Sequence, residues 1–138
     1  MKELRIVVVD DSPLIRDCLV EMFAKLEGCK VVGQAADGNE ALQIIYELRP
    51  DVVLLDIRMP HRDGIDVLRQ IRKEDSQMVI IMFTADPSAM LEEICLKEGA
   101  NYYLGKTEVL DLIAIFKELS TTNNSDRKRQ CHDSKRRQ

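Results

Sequence analysis

The chain has 138 residues, 45% of them hydrophobic and 32% charged, which suits one globular domain with one core and leaves no room for a second. Its apolar runs, such as 6–9 and 52–55, fall short of the roughly 20 residues a membrane-spanning helix needs, and the N-terminus lacks a signal-peptide pattern, so the expected location is cytoplasmic, with no membrane association. The net charge of −4 divides unevenly: residues 120–138 carry six Lys/Arg against two Asp, leaving 14 Lys/Arg against 22 Asp/Glu before them, a balance that argues against nucleic-acid binding by the folded body and leaves any such role to the tail.

In chain order, β-branched apolar runs at 4–9, 30–35, 52–55, 79–83 and 100–104 alternate with helical periodicity at 13–26, 39–48, 64–73, 87–98 and 108–119. This predicts an α/β fold: a (βα)5 unit, with a doubly wound five-stranded parallel sheet and helices on both faces. Ser12 with Pro13 suits an N-cap and first helical position, and Asp86 with Pro87 repeats that chemistry before the fourth helix. Gly28 and Gly99 follow helical runs as C′ caps. Pro60 and Gly64 break regular structure in the loop after the third strand.

Cys18, Cys29, Cys95 and Cys131 form no CxxC pair and have only His61 and His132 as imidazole partners, which argues against zinc. Cys18 and Cys95 lie among apolar residues and read as small buried hydrophobes. Met22, Met59, Met78, Met82 and Met90 fall in core-like segments. Residues 1–120 form the expected domain, and 121–138 a basic tail that is polar enough to stay disordered.

In open α/β sheets ligands gather at the carboxyl ends of the strands. Here those ends carry Asp10 and Asp11 (first strand), Asp56 (third), Thr84 (fourth) and Lys106 just beyond the fifth. Each has a bland reading: helix cap, turn residue, N-cap neighbour, solvated charge. Together they crowd carboxylates that repel one another and raise one another's pKa, so a cation belongs among them. Lys106 and a divalent metal are the candidates. Few ligands, all oxygen, favour Mg2+, with Mn2+ as a substitute. A carboxylate forms an acyl phosphate by nucleophilic attack, and phosphoryl transfer asks mainly for positioning and charge neutralisation. Asp56 would attack, Lys106 and the metal would neutralise phosphoryl oxygens, and Thr84 would donate a hydrogen bond.

The strings VVVDDSPLIR at 7–16, DVVLLDIRMPHRDGID at 51–66, MFTAD at 82–86 and GANYYLGK at 99–106 resemble the receiver domain of bacterial two-component response regulators, over residues 4–119. The resemblance implies a flavodoxin-like receiver fold with Asp56 as phosphoacceptor. It implies an acidic pocket of Asp10 and Asp11, Asp11 being the direct metal ligand, and a metal shell completed by the Arg58 backbone carbonyl. Thr84 and Lys106 match the family's phosphate contacts, and Tyr103 its switch aromatic. Tyr102 falls on the opposite face by strand alternation, with a packing role. Thr107 follows Lys106 where the family usually has proline, so no cis peptide is expected. Gly105 replaces a bulkier apolar residue, which predicts a looser end of strand five.

The implied function is a phosphoacceptor switch fed by a sensor histidine kinase or phosphotransfer protein, not an enzyme beyond self-catalysed phosphotransfer and dephosphorylation. Its output would go to a downstream protein partner or a homodimer through residues 87–119, with no DNA-binding domain in this chain. One rival is a small aspartyl-nucleophile phosphohydrolase, which needs a second Asp two residues on, where this chain has Arg58. The other is a non-phosphorylated scaffold, which would lack the acceptor, acidic pair or lysine. His61, in the loop after Asp56, is a lesser candidate for tuning phosphoryl lifetime.

Overall fold

A computed structural model describes residues 3–121; the expected tail lies outside them. The elements are β1 Leu4–Val9, α1 Pro13–Ala24, β2 Cys29–Ala35, α2 Gly38–Leu48, β3 Val52–Leu55, α3 Gly64–Glu74, β4 Val79–Thr84, α4 Ala89–Lys97, β5 Tyr102–Gly105 and α5 Val109–Ser120. All pairings are parallel and the strand order is β2-β1-β3-β4-β5. The order reverses at β1, so the crevice between the ends of β1 and β3 is the topological switch point.

Strand alternation sorts the core into two layers. Ile6, Val8, Leu54, Ile81 and Tyr102 pack with Leu19 and Phe23 of α1 and Leu112 and Phe116 of α5. Phe23 and Phe116 meet edge to face at 4.6 Å. Val7, Val9, Val53, Leu55, Met82 and Tyr103 pack on the other face with α2, α3 and α4 through Ala41, Ile45, Leu68, Ile71 and Cys95. Tyr102 and Tyr103 therefore do lie on opposite faces. Among the described residues no helix is long and apolar enough to cross a membrane.

Several local expectations need correction. α4 starts at Ala89, with Ser88 as N-cap accepting from the Leu91 N–H at 3.1 Å; Asp86 and Pro87 stay outside the helix, because Ser88 offers the same capping chemistry two residues later. Gly99 follows the C-cap Glu98 with φ 111° as expected. Gly28, at φ 84°, instead closes a further turn four residues beyond Ala24, next to the start of β2. Ala100 and Asn101 precede β5. Cys18 and Met90 are exposed, each beside an apolar helix position that turns inward, whereas Cys95 is fully buried and its thiol is pushed up to about 11, chiefly by burial. No cis peptide occurs among the described residues, and the sheet register runs to the Thr84–Gly105 pair, so β5 holds to its end.

Candidate functional site at the carboxyl edge of the sheet

The polar or charged residues buried among the described ones are Asp10, Asp56 and Thr84, each following or ending a central strand. Lys106 enters from the end of β5: its Nζ stands 2.6 Å from Asp10 Oδ2 and 3.3 Å from Asp56 Oδ2. The structure thus brings together four of the residues read from the strand ends. Asp11 joins them from an exposed position, and carboxylate oxygens of Asp10, Asp11 and Asp56 lie within 4.8 Å of one another.

Backbone contacts hold the carboxylates. Asp10 Oδ1 accepts from the Ser12 N–H at 2.9 Å, and the Asp10 carbonyl accepts from Arg16 Nη1 at 2.7 Å. Asp56 Oδ1 accepts from the Ile57 N–H at 2.8 Å. The loop after β3 returns to its strand where the Gly64 N–H donates to the Ile57 carbonyl at 2.7 Å. A Cβ on Gly64 would run into the Asp56 carbonyl oxygen and stand 2.9 Å from Ile57 Cα, so this close approach needs glycine. The sequence shows Gly64 only as a loop breaker; nothing in it signals that Asp56 is what the glycine touches.

Burial pushes the Asp56 carboxyl above the usual range and the charge of Asp10 adds to it, while Lys106 and the Ile57 N–H pull back only part. Burial alone would lower Lys106, but the hydrogen bond to Asp10 and the charges of Asp56 and Asp10 raise its pKa overall. One ammonium against three carboxylates leaves excess negative charge at the mouth, and an all-oxygen donor set with one exposed member fits a hard, partly hydrated divalent cation.

The Thr84 hydroxyl accepts from the Asp86 N–H at 3.3 Å, and the Tyr103 hydroxyl accepts from the Ser88 N–H at 3.2 Å. Tyr103 is already buried against the core layer of α2–α4. Arg58 is exposed, its guanidinium 3.8 Å from Asp86 across the loops, a contact worth little in water. His61, at φ 70°, turns its Nδ1 to Asp37 at 3.3 Å, the N-cap of α2.

The chain matches the sequence model of the response regulator receiver domain over residues 6–117. It is similar to a two-component response regulator of the LuxR family from Aurantimonas sp. SI85-9A1, at 26% identity over 96% of this chain and 98% of that one, TM-score 0.81. It is also similar to the BeF3-activated N-terminal receiver domain of Klebsiella pneumoniae RstA, at 30% identity over 86% and 99%, TM-score 0.77. A third likeness, at 31% identity over 83% and 90% with TM-score 0.76, is to a chain of the CheX-CheY-BeF3-Mg+2 complex from Borrelia burgdorferi. A match of that extent, on a sheet whose acidic end gathers the residues the sequence pointed to, makes this chain a member of the response regulator receiver domain family of two-component systems.

Proposed function

We propose that the chain is a phosphoacceptor switch that takes a phosphoryl group onto Asp56 from a histidine kinase or phosphotransfer protein and alters a partner-binding surface in response. The observation that carries the reading is Asp56 itself, buried at the end of β3 with the Lys106 ammonium 3.3 Å away. A carboxylate oxygen of Asp56 attacks phosphorus, the P–N bond to the donor imidazole breaks, and its electron pair returns to the ring, which takes up a proton. Lys106 balances charge on the phosphoryl oxygens and Thr84 donates its hydroxyl hydrogen to one of them. Asp10, Asp11, Asp56 and the Arg58 carbonyl would hold Mg2+, or Mn2+ in its place. When bound, the ion supplies positive charge beside the phosphoryl group.

The chain modifies its own aspartate and turns over no other substrate, in a cytoplasmic setting. Its output surface is the face of α4, β5 and α5, where Met90 is 68% and Leu110 82% exposed. Between α4 and α5 runs a groove walled by Glu92, Glu108, Asp111 and Glu118, suited to a downstream partner or a second copy with basic residues at its contact. Acetyl phosphate with Mg2+ is expected to add one acid-stable, hydroxylamine-labile phosphoryl group, absent in Asp56→Asn. Full labelling of that variant overturns the assignment.

A further inference from the structure

β5 is the last strand of the sheet, so one side of its backbone has no neighbouring strand. The Lys106 N–H points inward and donates to the Thr84 carbonyl at 2.8 Å. Successive N–H groups of a strand face opposite sides, which turns the Gly105 N–H to the open edge. There it donates to Glu108 Oε1 at 2.8 Å. The backbone answers in reverse, with the Glu108 N–H donating to the Gly105 carbonyl at 2.9 Å. Lys106 and Thr107 are the two residues enclosed by this pair of bonds.

Glu108 stands at the N-cap of α5, where a side chain ordinarily accepts from an amide of the first helical turn, yet it makes no such bond. Its carboxylate goes to the strand instead of the helix. Gly105 has no side chain with which to fix the turn, and a Cβ there would stand only 3.0 Å from Pro87 Cγ. The strand end is therefore held from outside. A lysine ammonium rides on a flexible four-carbon stem, so where Lys106 Nζ rests depends on how firmly its own backbone is held.

We infer that Glu108 is a positioning residue for Lys106: through Gly105 it fixes the turn from which the ammonium reaches Asp10 and Asp56. Its effect on phosphorylation rests on the phosphoacceptor reading; its effect on the turn does not. Three variants of the full chain test it. Glu108→Gln keeps an amide oxygen that accepts the Gly105 N–H, Glu108→Ala does not, and Glu47→Ala removes an exposed carboxylate from α2, away from both the groove and Gly105. Labelling by acetyl phosphate is expected to slow about tenfold in Glu108→Ala and to stay within about twofold of the parent in the other two. Amide hydrogen exchange at Gly105 should speed up, and the Lys106 Nζ resonance should shift, in the alanine variant at position 108 alone. Parent-like labelling of Glu108→Ala, or a glutamine variant as slow as the alanine one, overturns the inference. If the parent accepts no phosphoryl group, the phosphoacceptor reading falls, and exchange at Gly105 with the Lys106 resonance still decides the Glu108 contact: unchanged values in Glu108→Ala refute it.

Discussion

The Lys106 ammonium lies closer to Asp10 than to Asp56, at 2.6 Å against 3.3 Å. Asp56 is thus the less compensated of the two carboxylates, in keeping with its raised pKa. Replacing Lys106 by Met leaves Asp10 and Asp56 facing each other in a buried site, and metal-free stability is expected to fall by about 2 to 4 kcal/mol. Because the folded pKa of Lys106 is raised, its contribution is fully present below the unfolded value of about 10.4 and is lost as pH rises through the folded one. Denaturant titrations should show a steady deficit through neutral pH that narrows in strong alkali, and narrows again in acid as the carboxylates facing Lys106 take up protons. A deficit absent at pH 7 contradicts the arrangement.

Asp56→Asn should act in the opposite sense. With a folded pKa raised mainly by burial, Asp56 favours folding when protonated, and that benefit disappears as pH rises through the folded pKa. In EDTA at neutral pH the asparagine protein is expected to be more stable than the parent by roughly 1 kcal/mol. Towards acid the two melting curves should converge. A variant less stable than the parent at pH 7 would show that Lys106 compensates Asp56 more fully than the geometry indicates.

Asp11 is exposed, whereas Asp10 is buried and engaged by Lys106. Asp11→Asn should therefore weaken Mg2+ binding by about tenfold or more, while metal-free stability rises only slightly through relief of repulsion. Calorimetric titration with Mg2+ checks this, and unchanged affinity displaces the metal from Asp11.

Gly64→Ala tests the support behind Asp56. The added methyl group meets the Asp56 carbonyl oxygen and the Ile57 backbone rather than a movable side chain, and the expected loss is about 2 to 4 kcal/mol. Any folded fraction should label more slowly, because Asp56 must move. A variant with parent stability and parent labelling rate refutes the contact.

The five strands and the gathering of Asp10, Asp56, Thr84 and Lys106 were legible because in a parallel sheet every strand delivers its carboxyl end to one edge. The alternation that separates Tyr102 from Tyr103 was legible for the same geometric reason. What the sequence hides is local competition. Asp86–Pro87 and Ser88–Ala89 both spell a helix start, and the Ser88 hydroxyl that reaches Leu91 decides between them only in three dimensions. Cys18 adjoins the inward Leu19 but sits a hundred degrees or so round the helix, on the wet side. Gly64 and Glu108 owe their importance to what approaches them, and no spacing rule encodes that.

Charge added at Asp56 is expected to reach α4 through the loop that follows β4. The loop between β4 and α4 is tied at both ends by side-chain hydroxyls: the Asp86 N–H to Thr84, and the Ser88 N–H to Tyr103. A threonine hydroxyl accepts and donates at once. A phosphoryl oxygen that draws the Thr84 hydrogen shifts the oxygen on which the Asp86 N–H rests, and so pulls the loop at its first tie. The second tie sits on Tyr103, whose ring is already buried, so the pull ends at the N-cap of α4 and the groove wall formed by Pro87, Ser88 and Ala89. Thr84→Ala should accept phosphate yet transmit nothing to α4. Tyr103→Phe, which keeps the ring and loses the hydroxyl, should cost about 1 kcal/mol of stability and loosen the response. The measurement is the set of amide shifts in residues 86–98 on adding beryllofluoride with Mg2+. If both variants reproduce the parent's shifts, the loop is not the route, and Tyr103 serves packing alone.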